Sequence, residues 1–106
     1  MKEEGYRLNV GIIVANCDGK LLLCKRRGIN SWQFPQGGID KNEDHLKAAK
    51  RELFEEVGIS AEYVKLIKSS DDWYKYDVPK KTRRKILVNK KFKGQKQKWF
   101  LFKLKE

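Results

Sequence analysis

Apolar positions along the chain fall into short runs, most of which predict β-strands. Residues 10–15 are continuously apolar and largely β-branched, as is typical of a buried strand. The Asp18-Gly19 pair that follows favours a hairpin, because two-residue hairpin turns place both central residues at positive φ. Residues 21–25 then supply the returning strand. The same reasoning predicts strands at residues 64–67, 73–79 and 99–104.

One segment, residues 43–57, has the periodicity of a helix. Its apolar residues recur at steps of three and four and form one stripe: Leu46, Ala49, Leu53 and Val57. Asn42 or Asp40 can cap its start, and Gly58 can end it in the left-handed conformation. Strands on both sides of a helix predict one α/β domain over residues 1–106.

The predicted helix also carries an acidic stripe made of Glu52, Glu55 and Glu56, within about 100° around the helix axis. Arg51 can reach Glu55 one turn away. Taken alone, a glutamate-rich helix is most simply a solvated surface. Carboxylates that converge on one spot would instead suit Mg²⁺ or Mn²⁺. Residues 36–38, predicted to bend sharply at two glycines, could add carbonyl ligands.

Charge is distributed unevenly along the chain, and its distribution bears on which partners the protein could bind. The net charge of +11 divides into +3 for residues 1–36, −2 for residues 37–59 and +10 for residues 60–106. An acidic island in a basic protein favours a polyanionic partner, although charge alone does not identify one. We expect no membrane span, no signal peptide and a cytoplasmic location, because no apolar run is long enough. The two cysteines, Cys17 and Cys24, are expected to be free thiols.

Nine positions between residues 37 and 59 together resemble a complete Nudix box: Gly37, Glu43, Arg51, Glu52, Leu53, Glu55, Glu56, Gly58 and Ile59. The resemblance implies a Nudix-like α/β/α sandwich with a mixed sheet, and an enzyme that hydrolyses phosphoanhydride bonds. It also implies Mg²⁺ or Mn²⁺ as the cofactor. Divalent cations suit this chemistry because they neutralise phosphate charge and activate water.

The resemblance further implies a role for each residue of the box. Glu52 and Glu56 would be metal ligands, and Glu55 would be a ligand or orient the attacking water. The carbonyl of Gly37 would be another ligand, and Arg51 would anchor the carboxylates. Glu43 would brace the loop before the helix.

Segments outside the box resemble the bacterial RNA pyrophosphohydrolases, also described as dinucleoside polyphosphate hydrolases. They include residues 5–7, 31–39, 73–76 and 94–100. The resemblance implies that Arg26, Ser31 and Tyr76 contact the substrate phosphates, with Lys96 and Lys98 as supports. The expected substrates are 5′-triphosphate or 5′-diphosphate RNA ends and dinucleoside polyphosphates. Oligomeric state is left open.

Two other interpretations remain. One is a nucleotide-pool sanitising hydrolase. The other is a truncated protein that binds RNA through its basic half, because members of this branch continue well beyond the strand at residues 99–104. On that comparison we expect the second, C-terminal helix of the sandwich to be missing and one sheet face to be bare.

Several aromatic residues have competing interpretations. Trp32 and Phe34 are expected to lie in the core; the alternative is that they form a platform for a ligand. Trp73 and Trp99 are expected to pack against the domain, and His45 to be a solvated surface residue.

Overall fold

The computed structural model describes residues 5–25, 32–77 and 94–105. These residues form seven strands and one α-helix, together with a 3₁₀ turn at Ala61–Tyr63. The strands are β1 (Tyr6–Ala15), β2 (Cys24–Lys25), β3 (Trp32–Gln33), β4 (Gln36–Gly38), β5 (Val64–Ser69), β6 (Tyr74–Asp77) and β7 (Gly94–Leu104), and the helix α1 is His45–Val57. Strands β1, β2, β5, β6 and β7 lie in segments where the apolar pattern predicts strands, although β1 and β7 begin earlier than expected; β3 and β4 lie outside those segments.

The main sheet is mixed and has β1 and β7 at its centre. Its order is β4-β1-β7-β5, and β6 also pairs with β7. β1 and β7 are parallel along their whole length, from Tyr6 beside Gly94 to Ala15 beside Lys103. β4, β5 and β6 join antiparallel. The expected α/β class with a mixed sheet is confirmed.

The core lies between α1 and one face of this sheet. Side chains alternate between the faces of a strand, and on β1 the alternate residues Val10, Ile12 and Val14 are almost completely buried. They form one cluster with residues of the neighbouring elements: Ala48, Ala49, Leu53, Val64, Phe100 and Phe102. Burial of this apolar surface is the main force that holds α1 against the sheet.

The helix begins at a different capping residue from those predicted. Asp44 is the N-cap, and its side chain accepts a hydrogen bond from the Lys47 amide at 3.1 Å. Asn42 instead lies in the left-handed region with φ of 63°, which places it in the preceding turn. The helix ends as expected, because Gly58 is left-handed and its amide donates to the Phe54 carbonyl at 2.8 Å.

The hairpin after β1 forms, but by a different turn. Asn16 and Lys20 are joined by a backbone hydrogen bond of 3.0 Å, and only Gly19 has positive φ. The side-chain oxygen of Asn16 accepts from the amides of Asp18 and Lys20, which stabilises this longer loop. The returning strand is short: Leu21 makes one bridge to Ala15, and β2 then pairs with β3.

The sheet face opposite α1 carries Ile13, Trp99 and Leu101, which are half-buried. Together with residues 68–72 they line a shallow cavity of about 350 Å³. Within the three described ranges, α1 is the only α-helix. The expectation of a bare second face is not met among these residues, because Ile13, Trp99 and Leu101 are half-buried.

Four further expectations concerned side chains, and their outcomes differ. Trp32 is 63% exposed, so its expected place in the core is wrong. His45 is half-buried with its ring edge-on to Trp73 at 5.1 Å between centroids, so it is not a solvated residue. Packing of Trp73 and Trp99 is confirmed, since both are half-buried. Cys17 and Cys24 are free thiols, as expected.

Candidate active site

Arg51 is the centre of a network that joins α1 to the loop before it. Its Nε and Nη2 atoms donate to the two carboxylate oxygens of Glu43 at 2.8 and 2.9 Å. Nη2 also donates to the Gly38 carbonyl at 2.9 Å, and Nη1 donates to Glu52 at 2.7 Å and to Glu55 at 3.2 Å. The predicted contact with Glu55 is present. One guanidinium therefore fixes the relative positions of β4, the loop and the acidic stripe.

Glu43 braces the loop. Besides its two bonds from Arg51, it accepts a hydrogen bond from the Asp40 amide at 3.0 Å. The bonds from Arg51 are the main reason that the pKa of Glu43 falls from 4.5 to about 2. The same contact raises the pKa of Arg51. Both groups therefore stay charged at neutral pH.

Replacing Glu43 with glutamine is expected to lower the free energy of unfolding at pH 7 by about 2 kcal/mol. The folded pKa lies below the unfolded value, so the ionised carboxylate stabilises the fold above pH 4.5 and this contribution is lost as pH falls towards about 2. Urea unfolding at several pH values between 7 and 3 measures both effects. Glu62→Gln, at an exposed site, is the control. A difference from wild type that does not shrink with falling pH would contradict the assignment.

Glu52 lies against Gly37 and is buried, with 8% of its surface exposed. A Cβ atom at position 37 would overlap the Glu52 carboxylate. Glycine is therefore required by the close approach of β4 and α1. The expected sharp bend at residues 36–38 is wrong: these residues form β4, and neither Gly37 nor Gly38 has positive φ.

Glu55 and Glu56 follow on the next turn of α1 and are exposed. With Glu52 and Gly37 they line a cavity of about 780 Å³, which we call the carboxylate cavity. Burial is the main cause that raises the pKa of Glu52, and the charges of Glu55 and Glu56 raise it further. Burial, together with the charge of Glu56, also raises the pKa of Cys24, another residue of the lining. Negative charge is thus concentrated in one place.

The donor set fits a hard divalent cation in its chemistry. The available atoms are carboxylate oxygens and strand carbonyls, which Mg²⁺ and Mn²⁺ prefer. Burial is the largest cause of the raised pKa of Glu52, and a bound cation would offset the smaller part that comes from the charges of Glu55 and Glu56. Among the residues that the structure describes, no three His, Cys, Asp or Glu side chains are grouped closely enough to hold a metal ion. Instead, the guanidinium of Arg51 contacts both Glu52 and Glu55.

The lining of the carboxylate cavity also contains residues for which no role was predicted. Arg7 and Lys25 contribute positive charge, and Gln33, Gln36 and Gln95 contribute amides, together with the buried Asn9. Arg7 lies so close to β4 that a Cβ at Gly38 would overlap its guanidinium. The alternation along β1 does place Arg7 and Asn9 on the face away from Val10. The alternation does not show that these two residues line the same cavity as the glutamates of α1.

Five further residues were predicted to contact the substrate, and only some of them are described. Arg26 and Ser31 lie outside the described residues, and so does the side chain of Tyr76. The backbone of Tyr76 pairs with Gln95, a residue of the carboxylate cavity. The Nζ atoms of Lys96 and Lys98 lie over the Trp73 ring, at 5.3 and 6.0 Å from its centroid. Neither lysine belongs to the described lining of the carboxylate cavity, so their role as phosphate supports stays a prediction.

The chain belongs to the Nudix family. The NUDIX domain profile matches residues 5–104, which include every element described above. The family assignment made from the box is thereby confirmed.

Within the family, the chain is similar to proteins named RNA pyrophosphohydrolase. The chain is 52% identical to an RNA pyrophosphohydrolase of Psychrobacter sp. (strain PRwf-1), across 97% of this chain and 59% of that protein. It is 47% identical to an RNA pyrophosphohydrolase of Francisella tularensis subsp. mediasiatica, across 97% of this chain and 65% of that protein. The chain therefore spans about three fifths of the length of these relatives. Among solved structures, a C. elegans Ap4A hydrolase is similar with a TM-score of 0.68 and 25% identity, across 95% of this chain and 70% of that one.

No helix among the described residues is both long enough and apolar enough to span a bilayer.

Proposed function

We propose that the chain carries the hydrolytic site of a metal-dependent RNA pyrophosphohydrolase. The substrate is a 5′-triphosphate or 5′-diphosphate RNA end, which the reaction converts to a 5′-monophosphate. Dinucleoside polyphosphates are further substrates, because they contain the same type of anhydride bond. Sequence similarity to RNA pyrophosphohydrolases supports the RNA end, and similarity to an Ap4A hydrolase structure supports the dinucleotides.

One observation carries the proposal: the three glutamates and two cationic side chains line the same cavity. Its lining includes the carboxylates of Glu52, Glu55 and Glu56 and the cationic side chains of Arg7 and Lys25. A polyphosphate is densely anionic, so it needs cationic groups to bind it and a bound cation to separate it from the carboxylates. A solvated acidic helix face has no need to share a cavity with an arginine and a lysine from other strands.

The residues of the cavity take complementary roles in this proposal. Glu52, Glu56 and the Gly37 carbonyl hold Mg²⁺ or Mn²⁺, and Glu55 is a further ligand or orients the attacking water. A cation bound there supplies charge neutralisation on the phosphate oxygens and a more acidic water. Arg51 positions Glu52 and Glu55 through its hydrogen bonds.

On the substrate side, Arg7 and Lys25 bind the polyphosphate within the cavity. The other predicted phosphate contacts are Arg26, Ser31 and Tyr76. Lys96 and Lys98 would act from outside the described lining, on RNA phosphates further from the reacting bond.

The test is phosphate release from a 5′-triphosphorylated oligonucleotide by the 106-residue chain. We expect turnover with Mg²⁺ or Mn²⁺, none with EDTA, and restoration when the cation is added back. Rates on Ap4A and on free nucleoside triphosphates are measured beside it. A clear preference for free nucleotides would instead indicate nucleotide-pool sanitation. Salt-sensitive RNA binding that survives EDTA without any product would indicate an RNA-binding protein.

A further inference from the structure

Three lysines of β6 and β7 lie together on the sheet face against which α1 packs. Side chains alternate along β7, so Lys96 and Lys98 share a face with the core residue Phe100. Lys75 of β6 is the direct cross-strand partner of Lys96 and therefore lies on the same face. We call these three lysines, together with the ring of Trp73, the lysine patch.

Aromatic rings hold the lysines of the patch in place. The Nζ atoms of Lys96 and Lys98 lie 5.3 and 6.0 Å from the centroid of the Trp73 ring. That ring is itself packed edge-on against His45, the first residue of α1, with 5.1 Å between the centroids. The Nζ atom of Lys75 lies 5.3 Å from the centroid of the Tyr6 ring. Cation–π contacts position an ammonium group without removing its charge.

The patch concentrates positive charge in a way that a sheet alone does not favour. Like charges directly opposite each other on neighbouring strands are destabilising, and Lys75 and Lys96 are such a pair. A bound phosphate chain offsets this repulsion, and its binding is driven further by the release of counterions. Lysines beside aromatic rings are typical of surfaces that bind single-stranded nucleic acid. The patch is therefore suited to a polyanion.

We propose that the lysine patch binds the phosphodiester backbone of the RNA chain that follows the 5′ nucleotide. This inference rests on the proposed function and deepens it, since it places the remainder of the same substrate. Gln95 lines the carboxylate cavity and is followed directly by Lys96 on β7, so the cavity and the patch meet on opposite faces of one strand. The RNA passes between the faces around β6, which pairs only with β7 among the described residues.

The experiment measures how affinity depends on the length of the RNA. The probes are a dinucleotide and a dodecanucleotide, each with a 5′-monophosphate and a fluorophore at its 3′ end, so neither contains an anhydride bond. Fluorescence anisotropy of the full chain is expected to show tighter binding of the longer RNA. The double variant Lys75→Gln, Lys98→Gln is expected to reduce this preference about tenfold. It should also lower the slope of log Kd against log salt by about 1.4, which corresponds to two phosphate contacts on a single strand.

Two further double variants serve as controls. Lys20→Gln with Lys65→Gln removes the same charge at exposed positions outside the patch and is expected to match wild type. Lys75→Arg with Lys98→Arg keeps the charge and is expected to retain the preference for the longer RNA. Thermal unfolding of each variant checks that the fold is unchanged.

Three results would overturn the assignment of the patch. They are equal affinity for the two RNAs, a length preference and salt slope that the double glutamine variant leaves intact, and displacement of the RNA by polyglutamate as readily as by unlabelled RNA. The last would indicate an acidic protein as the partner.

The hydrolysis assay separates this inference from the proposed function. Length-dependent binding through the patch without release of phosphate would preserve the patch and refute the hydrolase. Release of phosphate with the same KM for triphosphorylated RNAs of both lengths would do the reverse.

Discussion

Replacing Glu56 with glutamine is expected to lower Mg²⁺-dependent hydrolysis of a 5′-triphosphorylated oligonucleotide by at least about 100-fold. Glutamine keeps the size of the side chain and removes the negative charge that would hold the cation. Glu52→Gln is expected to lower activity as strongly. It also replaces a buried group that accepts a 2.7 Å hydrogen bond from Arg51. Initial rates at saturating substrate and a Mn²⁺ titration of each variant measure the two effects.

Glu62→Gln is the control for these variants, because Glu62 is exposed on the 3₁₀ turn and is not part of the carboxylate cavity lining. It is expected to match wild type in rate and in Mn²⁺ affinity. Glu56 is exposed, so its replacement should leave thermal unfolding almost unchanged and the loss can be assigned to the site. Wild-type rates in both glutamate variants would refute the assignment of the metal ligands.

Replacing Arg51 with methionine is expected to lower the free energy of unfolding by about 3 kcal/mol. Methionine fills similar space, but Glu43 and Glu52 would lose their cationic partner in a site where their side chains are only 16% and 11% exposed. The Gly38 carbonyl would lose a donor as well. Urea unfolding at pH 7 measures the loss. Activity is expected to fall together with stability, because Glu52 and Glu55 would no longer be positioned.

Lys47→Met is the matched control on the same helix, since the Lys47 side chain is exposed. It is expected to change the free energy of unfolding by less than about 0.5 kcal/mol. Arg51→Lys adds a second comparison. Lysine keeps the charge but cannot form the planar pair of bonds to Glu43, so it should recover only part of the stability. Full recovery by lysine would show that charge alone holds this network together.

Local rules were sufficient for the helix and for most strands. The spacing of Leu46, Ala49 and Leu53 predicts α1 because an amphipathic helix needs one apolar face, and the core confirms it. The mixed sheet was predicted from the family resemblance, because periodicity alone does not give the order of strands. Six of the nine box residues either take part in the Arg51 network or line the carboxylate cavity: Gly37, Glu43, Arg51, Glu52, Glu55 and Glu56. Their catalytic roles stay predictions.

Other features depend on contacts between distant segments, and the sequence pattern does not contain them. Gly37 suggested a turn, yet its function in the fold is to let the Glu52 carboxylate approach β4. Trp32 suggested a core residue because large aromatic side chains are usually buried, yet it faces solvent on β3. Arg7 lies 44 positions before Arg51 in the chain, and only the edge strand β4 brings its side chain into the same cavity as the glutamates.

The parallel pairing of β1 with β7 has a consequence for how the protein folds. Tyr6 and Gly94 are neighbours in space but are separated by almost the whole chain. Closing so long a loop is entropically costly, and topologies dominated by distant contacts fold slowly. During synthesis, β1 must wait for β7 before the two can pair at the centre of the sheet. Until β1 and β7 pair, the apolar surface of β1 is exposed. Aggregation is therefore most to be expected before this pairing is complete.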